Sequence, residues 1–220
     1  KEISKVTLDL STFYRTALSK GEDMVTVENC IRNIEAYLSI QLVMHDNDFT
    51  VEWKIDPQVK TEKVPKLILQ PVVENALEHG LDVKEEGDKI LKLSFLDAGD
   101  AVLLRVEDNG MGMRKEVLEN ILTDNNKVPK HGSGVGVINV HSRIKLMFGE
   151  GYGLTVYSEP DEGTKVVIHI PAIPYTKENA EKLENMELGP GAEYVEKMKT
   201  ARKRLDGFKH HTFFVMAGSG

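Results

Sequence analysis

Two glycine clusters, "DNGMGM" at residues 108–113 and "GSGVGV" at 132–137, punctuate a chain that otherwise alternates between strand and helix periods. Glycine tolerates backbone conformations and close approaches that a Cβ forbids. Each cluster therefore marks a place where bare main chain turns tightly or meets something bulky. Neither matches the two commonest glycine loops. No Gly-Lys-Ser/Thr follows the second cluster, and no strand leads directly into it, so a Walker loop and a dinucleotide fingerprint are both excluded.

The periods on either side set the fold class. Up to about residue 46 the chain reads as two helices, with apolar seams at Ile3, Val6, Leu10, Phe13 and Ala17, then at Val27, Ile31, Ile34, Leu38 and Leu42. Thr26 is placed to cap the second helix. One narrow stripe per helix buries little, so the pair is expected to pack together and against a second copy. From Phe49 the period changes: "FTVEWKI" alternates as a strand. Pro65 is expected to open a helix that runs to His79 and stops at Gly80, bent or delayed by Pro71. Segments 90–96 and 102–108 flank a turn and predict a hairpin; helices at about 114–122 and 135–147 and strands at about 154–158 and 165–170 follow. Locally paired strands with helices inserted between them predict an α+β two-layer sandwich with a mixed sheet, preceded by a helical hairpin. The expected division is residues 1–48, 49–174 and a tail, 175–220, to which no role is assigned.

Polar residues converge on the glycine clusters. Asp108 ends a hydrophobic strand, where a carboxylate needs a donor; the exocyclic amine of adenine is one, and such a bond contributes roughly 1.5–3 kcal/mol. As a tripeptide alone, "DNG" also reads as an ordinary turn. Gly134 and Gly136 precede an amphipathic helix, whose first amide groups suit phosphate oxygens. Asn75 interrupts an apolar helix at a cost in helix propensity, as a metal-binding amide or as a satisfied core amide. Glu74 can act through water as a base, Glu78 and His79 share Asn75's face, and Lys127, Lys130 and His131 form a cationic segment able to close over polyphosphate.

Charge and cysteine content narrow the remaining classes. A formal net charge of −7 argues against nucleic-acid binding, which rests on a surplus of Lys and Arg. The one cysteine, Cys30, permits no internal disulfide; among Val27, Ile31 and Ile34 it reads as a buried small hydrophobe. No apolar run approaches the ~20 residues of a membrane span.

These elements, in this order, resemble the ATP-binding domain shared by sensor histidine kinases, DNA gyrase, MutL and the ninety-kilodalton heat-shock chaperones (the Bergerat fold). "LQPVVENALEHG" is similar to its asparagine box, "DNGMGM" and "GSGVGV" to its glycine boxes, and "EGTKVVIHIP" to its last box. "QPVVENALEHG" and "GVGVINVHSRIKLMFG" most resemble sensor kinases of the LytS/YesM type. The resemblance implies Mg-ATP, with Asn75 as magnesium ligand and Glu74 beside it. It implies Asp108 as adenine contact, supported by Gly110, Gly112, Met113 and Thr164. Lys130, His131, Gly132, Ser133, Gly134, Val135 and Gly136 would lie on the phosphate side, with His79. It also implies transfer of the γ-phosphoryl group to a histidine and then to a response regulator, in a homodimer formed through the N-terminal helices. Such a domain would be cytoplasmic in a membrane-anchored sensor, without touching membrane itself.

None of the seven histidines lies in an "NPHFLYN"-like context, so the acceptor is expected before Lys1. Glu78 stands where many relatives carry a basic residue. Two other readings are a gyrase- or MutL-type ATP hydrolase and a noncatalytic ATP-binding scaffold. The first is disfavoured because Pro71 occupies the position from which a glutamate commonly activates water there.

Overall fold

The computed structural model describes residues 2–17, 23–122 and 135–173. The expected cationic segment, the first half of the second glycine cluster (132–134) and the tail lie outside the described residues. The described elements run α1 (Glu2–Ala17), β1 (Met24–Thr26), α2 (Val27–Met44), β2 (Thr50–Ile55), a 3-10 turn (Pro57–Thr61), β3 (Lys63–Pro65) and α3 (Gln70–Asn75). A π-helical turn (Ala76–Leu81) follows, then β4 (Ile90–Asp97), β5 (Ala101–Asp108), α4 (Lys115–Leu118), α5 (Val135–Phe148), β6 (Gly153–Glu159) and β7 (Gly163–Pro171).

Five strands form one mixed sheet in the order β2-β4-β5-β7-β6. The pair β2–β4 is parallel, and the others are antiparallel. Alternation fixes which side chains face inward. Leu91, Leu93 and Phe95 of β4, Leu104 and Val106 of β5, and Val166, Ile168 and Ile170 of β7 are all buried. They join Val72, Val73 and Leu77 from α3 and the π turn, and Val137, Val140, Ile144 and Phe148 from α5, in one apolar cluster. The opposite sheet face carries the Lys92–Glu52 ion pair and Lys165 over the Tyr157 ring. The expected α+β two-layer sandwich with a mixed sheet is what forms.

The helical hairpin is present, and α2 is capped as expected: the Thr26 hydroxyl accepts the Asn29 amide at 3.2 Å. Its stripe of Val27, Ile31, Ile34 and Leu38 enters the same cluster as the sheet, so buried packing continues across residue 48. Cys30 is buried there, and burial pushes its thiol up to about 12, which disfavours the thiolate. Helix α1 docks on α2 through Phe13 against Tyr37 and through Ser39 donating to Asp9 at 2.7 Å. Leu10, expected on the seam, instead stands exposed with Leu8 and Tyr14. No helix among the described residues is long and apolar enough to cross a membrane.

The helix expected from Pro65 begins five residues later. Pro65 ends β3, which pairs antiparallel with β1 in a two-stranded ribbon, a place where proline's missing N–H does little harm. Leu67 then adopts φ 59°, which no right-handed helix accommodates. Pro71 falls in the first turn of α3, where its N–H would be unpaired anyway. The other end also differs: the helix does not stop at Gly80 but widens, with the Asp82 amide reaching back five residues to the Leu77 carbonyl at 2.8 Å. The helix expected over 114–122 shrinks to the single turn α4.

Candidate functional site

The sheet's buried face ends in a polar row. Val156, Val166 and Val106 lie side by side, and two residues further along the same face come Ser158, Thr164 and Asp108. Asp108 Oδ1 accepts the amides of Gly110 at 3.0 Å and Thr164 at 3.3 Å. Oδ2 takes neither. Burial pushes the carboxyl up to about 6, while those two amides and Lys84 pull it down. Desolvation wins, so this is a carboxylate that gains from any further donor.

Ser158 ties the row to the first glycine turn. Its Oγ accepts the Met113 amide at 2.8 Å, donates to the Gly163 carbonyl at 2.9 Å and lies 2.9 Å from Thr164 Oγ1. A hydroxyl has one proton. With that proton on Gly163, Thr164 must donate to Ser158, which leaves the lone pairs of the Thr164 oxygen available to accept.

Glycines let three strands of backbone meet here. A Cβ on Gly110 would collide with the Gly80 main chain, and the Met111 amide meets the Gly80 carbonyl at 3.4 Å. Gly112 has φ +63°, and a side chain there would strike the Glu159 carbonyl. The π turn is thus pressed against the "DNGMGM" turn. Asn109 fastens the other side, accepting the Ile90 amide at 2.8 Å and donating to the Asp88 carbonyl at 2.8 Å.

Asn75 is half-buried at the end of α3, and among the described residues its side chain has no hydrogen-bond partner. A core amide would be paired. Glu74 Oε1 accepts Gln70 Nε2 at 2.7 Å. Burial raises the Tyr37 phenol on α2, and the charges of Glu74, Glu78 and Asp82 raise it further, so the Glu74 carboxylate lies on the side of the helix toward α2. His79 is exposed on the π turn. Gly136 lies inside α5, and a Cβ there would stand 2.9 Å from Pro71 Cβ; its bareness lets α5 close on α3. Val135 opens α5, while Lys130, His131, Gly132, Ser133 and Gly134 lie outside the described residues. His141 is committed structurally: its Nδ1 accepts the Leu154 amide at 3.0 Å, and burial lowers its pKa.

The structure therefore brings Asp108, Gly110, Gly112, Met113 and Thr164 together and sets Asn75 on the helix that leads into the π turn. Gly80, Ser158 and Lys84 went unread as site residues. Gly80 was visible only as a helix stop, and nothing local marks the other two.

Residues 61–174 match the family model described as histidine kinase-, DNA gyrase B-, and HSP90-like ATPase. The chain belongs to that family. Two curated relatives of this ATPase-family domain are sensor proteins. It is 34% identical over 171 residues to the sensor histidine kinase YesM of Bacillus subtilis (strain 168), covering 78% of this chain. It is 31% identical over 171 residues to the sensor protein LytS of Bacillus anthracis, covering 76% of this chain. The chain spans only 28% of the length of each. The fold is shared with the histidine kinase domain of the Erythrobacter litoralis EL346 blue-light activated histidine kinase. That match has a TM-score of 0.53 and 17% identity, covering 85% of this chain and 80% of the other.

Proposed function

We propose that this domain is the ATP-binding catalytic region of a sensor histidine kinase of the LytS/YesM type. It passes the γ-phosphoryl group of ATP to a protein histidine and from there to an aspartate on a response regulator. The observation that carries the reading is the row Asp108–Thr164–Ser158 at the end of the sheet, closed by the Gly80–Gly110 contact. Asp108 Oδ2 accepts the exocyclic amine of adenine, a bond to a charged group in a poorly solvated place. Thr164, presenting lone pairs, accepts from a water at the base. Gly110 and Gly112 keep Cβ atoms out of the base's path.

The residues present fit magnesium. Among the described residues no group of three His, Cys, Asp or Glu stands ready to hold a metal, and Asn75 has an uncommitted amide. That suits an ion which keeps most of its waters and binds through phosphate oxygens with one or two protein groups. Asn75 would hold it, and when bound it would neutralise charge on the transferring phosphoryl group. Glu74, with Oε1 held by Gln70, acts through water beside it. The segment with Lys130 and His131, residues 132–134 and the start of α5 at Val135 and Gly136 supply phosphate-side contacts, as does His79. Phosphoryl transfer asks the protein mainly for position and charge neutralisation, which this donor set provides.

Dimerisation through the N-terminal helices is supported by the outward Leu8, Leu10 and Tyr14 on α1. A location on the cytoplasmic side of a membrane-anchored sensor is the reading that its sensor-kinase relatives support. Calorimetry with Mg-ATP tests the nucleotide reading: the wild-type chain should bind, and well-folded material giving no heat would end it. Transfer from radiolabelled ATP to a supplied histidine-bearing helical domain tests the kinase reading; binding without transfer would leave a scaffold.

A further inference from the structure

We propose that Lys84 is a positioning residue for the adenine carboxylate: it holds a fixed positive charge beside Asp108 and so sets the pH range over which the pocket accepts an adenine ring. The inference rests on Asp108 being the adenine contact. Lys84 lies four residues beyond Gly80, on the loop between the π turn and β4. It is half-buried, and its Nζ donates to two main-chain carbonyls, Asp88 at 2.8 Å and Asn109 at 2.9 Å. The second belongs to the residue that follows Asp108. A long, flexible side chain is thereby fixed at its charged end, next to a carboxylate that burial disfavours.

The charged groups around Asp108 leave this role to Lys84. Gly80 on the π turn and Ser158 on β6 bring no charge. From the glycine turn and β7 the amides of Gly110 and Thr164 reach it. Glu107, Glu159, Glu162 and Lys165 line the polar hollow that Asp108 also borders, but the three carboxylates add negative charge, and Lys165 sits over the Tyr157 ring on the opposite sheet face. Glu85, Glu86 and Asp88, on the loop itself, are exposed. Among the described residues, Lys84 is the charge that favours ionised Asp108.

A lysine that merely clips the loop would share the same two hydrogen bonds, so the test separates charge from tether. Lys84→Gln keeps a donor and removes the charge; Lys84→Arg keeps the charge. The Asp108 carboxyl carbon is titrated by NMR in the full chain without nucleotide. Its midpoint, about 6 in the wild type, should rise in Lys84→Gln and stay near the wild-type value in Lys84→Arg. Mg-ATP affinity of Lys84→Gln should then be weaker than wild type at pH 5, by the fold-change that the shifted midpoint sets, and the same above pH 8. An unmoved Asp108 midpoint, with affinity lowered equally at every pH, would overturn the proposal and leave a loop clip. A raised midpoint with ATP affinity indifferent to pH, in wild type as well as variant, would instead overturn the adenine reading on which the binding consequence rests.

Discussion

Gly80 and Asp108 touch so closely that a Cβ built on the glycine would stand 2.6 Å from Oδ1 of the aspartate. Oδ1 is also the oxygen that accepts the Gly110 and Thr164 amides, so the space is spoken for three times over. Gly80→Ala must therefore push either the π turn or the carboxylate. The expected outcome is a loss of roughly 1–3 kcal/mol of stability, as for other overpacked sites. Mg-ATP affinity should fall by about tenfold or more, equivalent to at least ~1.4 kcal/mol. Urea unfolding and calorimetry on the same preparation measure both.

Asp108 should be a stability liability that binding repays. Its carboxyl titrates near 6 in the fold against an ordinary 3.8, so the protonated form is favoured on folding. The sign follows: its contribution to stability is fully present below pH 3.8 and is lost as pH rises through about 6. Above that, the buried charge costs about 2–3 kcal/mol. Asp108→Asn keeps an acceptor for both amides without the charge. It should raise the urea midpoint at pH 7–8, bring no gain below pH 4, and weaken ATP by about a hundredfold. The wild-type affinity for Mg-ATP should itself drop about tenfold between pH 7 and pH 5. Unaltered binding by Asp108→Asn would remove the adenine role.

Asn75 is expected to matter only when metal is present. Asn75→Ala removes an amide that no described residue bonds, so folding should change by less than about 1 kcal/mol. The gain in ATP affinity on adding Mg2+ should disappear in this variant, while metal-free ATP binds as in wild type. Titrating ATP with and without Mg2+ checks it. An undiminished magnesium effect would send the metal elsewhere.

How much of this was legible in advance depended on how local each signal is. Thr26 caps a helix three residues away, the β4–β5 strands face each other across a short turn, and Asp108 ends an alternating run; each could be read from neighbours in sequence. Pro65 misled because a ribbon with β1 claims it, and β1 is only three residues long. The start of α3 moved because Leu67 takes a positive φ that no propensity announces. Ser158 was invisible for a different reason. The amide that it accepts belongs to Met113, 45 residues earlier, and a serine in a strand looks like any half-exposed polar residue. Lys84 likewise acts on a carbonyl 25 residues away. The chemistry of the site was spelled by its glycines and its carboxylate; the parts that hold them in place are written in long-range pairs.

Ser158 offers the sharpest separation between the two ends of the pocket. It joins the Met113 amide, the Gly163 carbonyl and the Thr164 hydroxyl, so Ser158→Ala leaves an amide and a carbonyl unpaired in a half-buried place. That should cost about 1–3 kcal/mol of stability. It also frees the Thr164 hydroxyl to rotate, so its proton is no longer committed to Ser158. If this hydroxyl serves the base, ATP and ADP must lose affinity by the same factor, on the order of tenfold, because they share the adenine and differ only in phosphate. Magnesium dependence should stay intact, since Asn75 is untouched. A Ser158→Ala chain that discriminates newly between ATP and ADP would place the defect on the phosphate side and contradict the assignment of the Asp108–Thr164–Ser158 row to the purine.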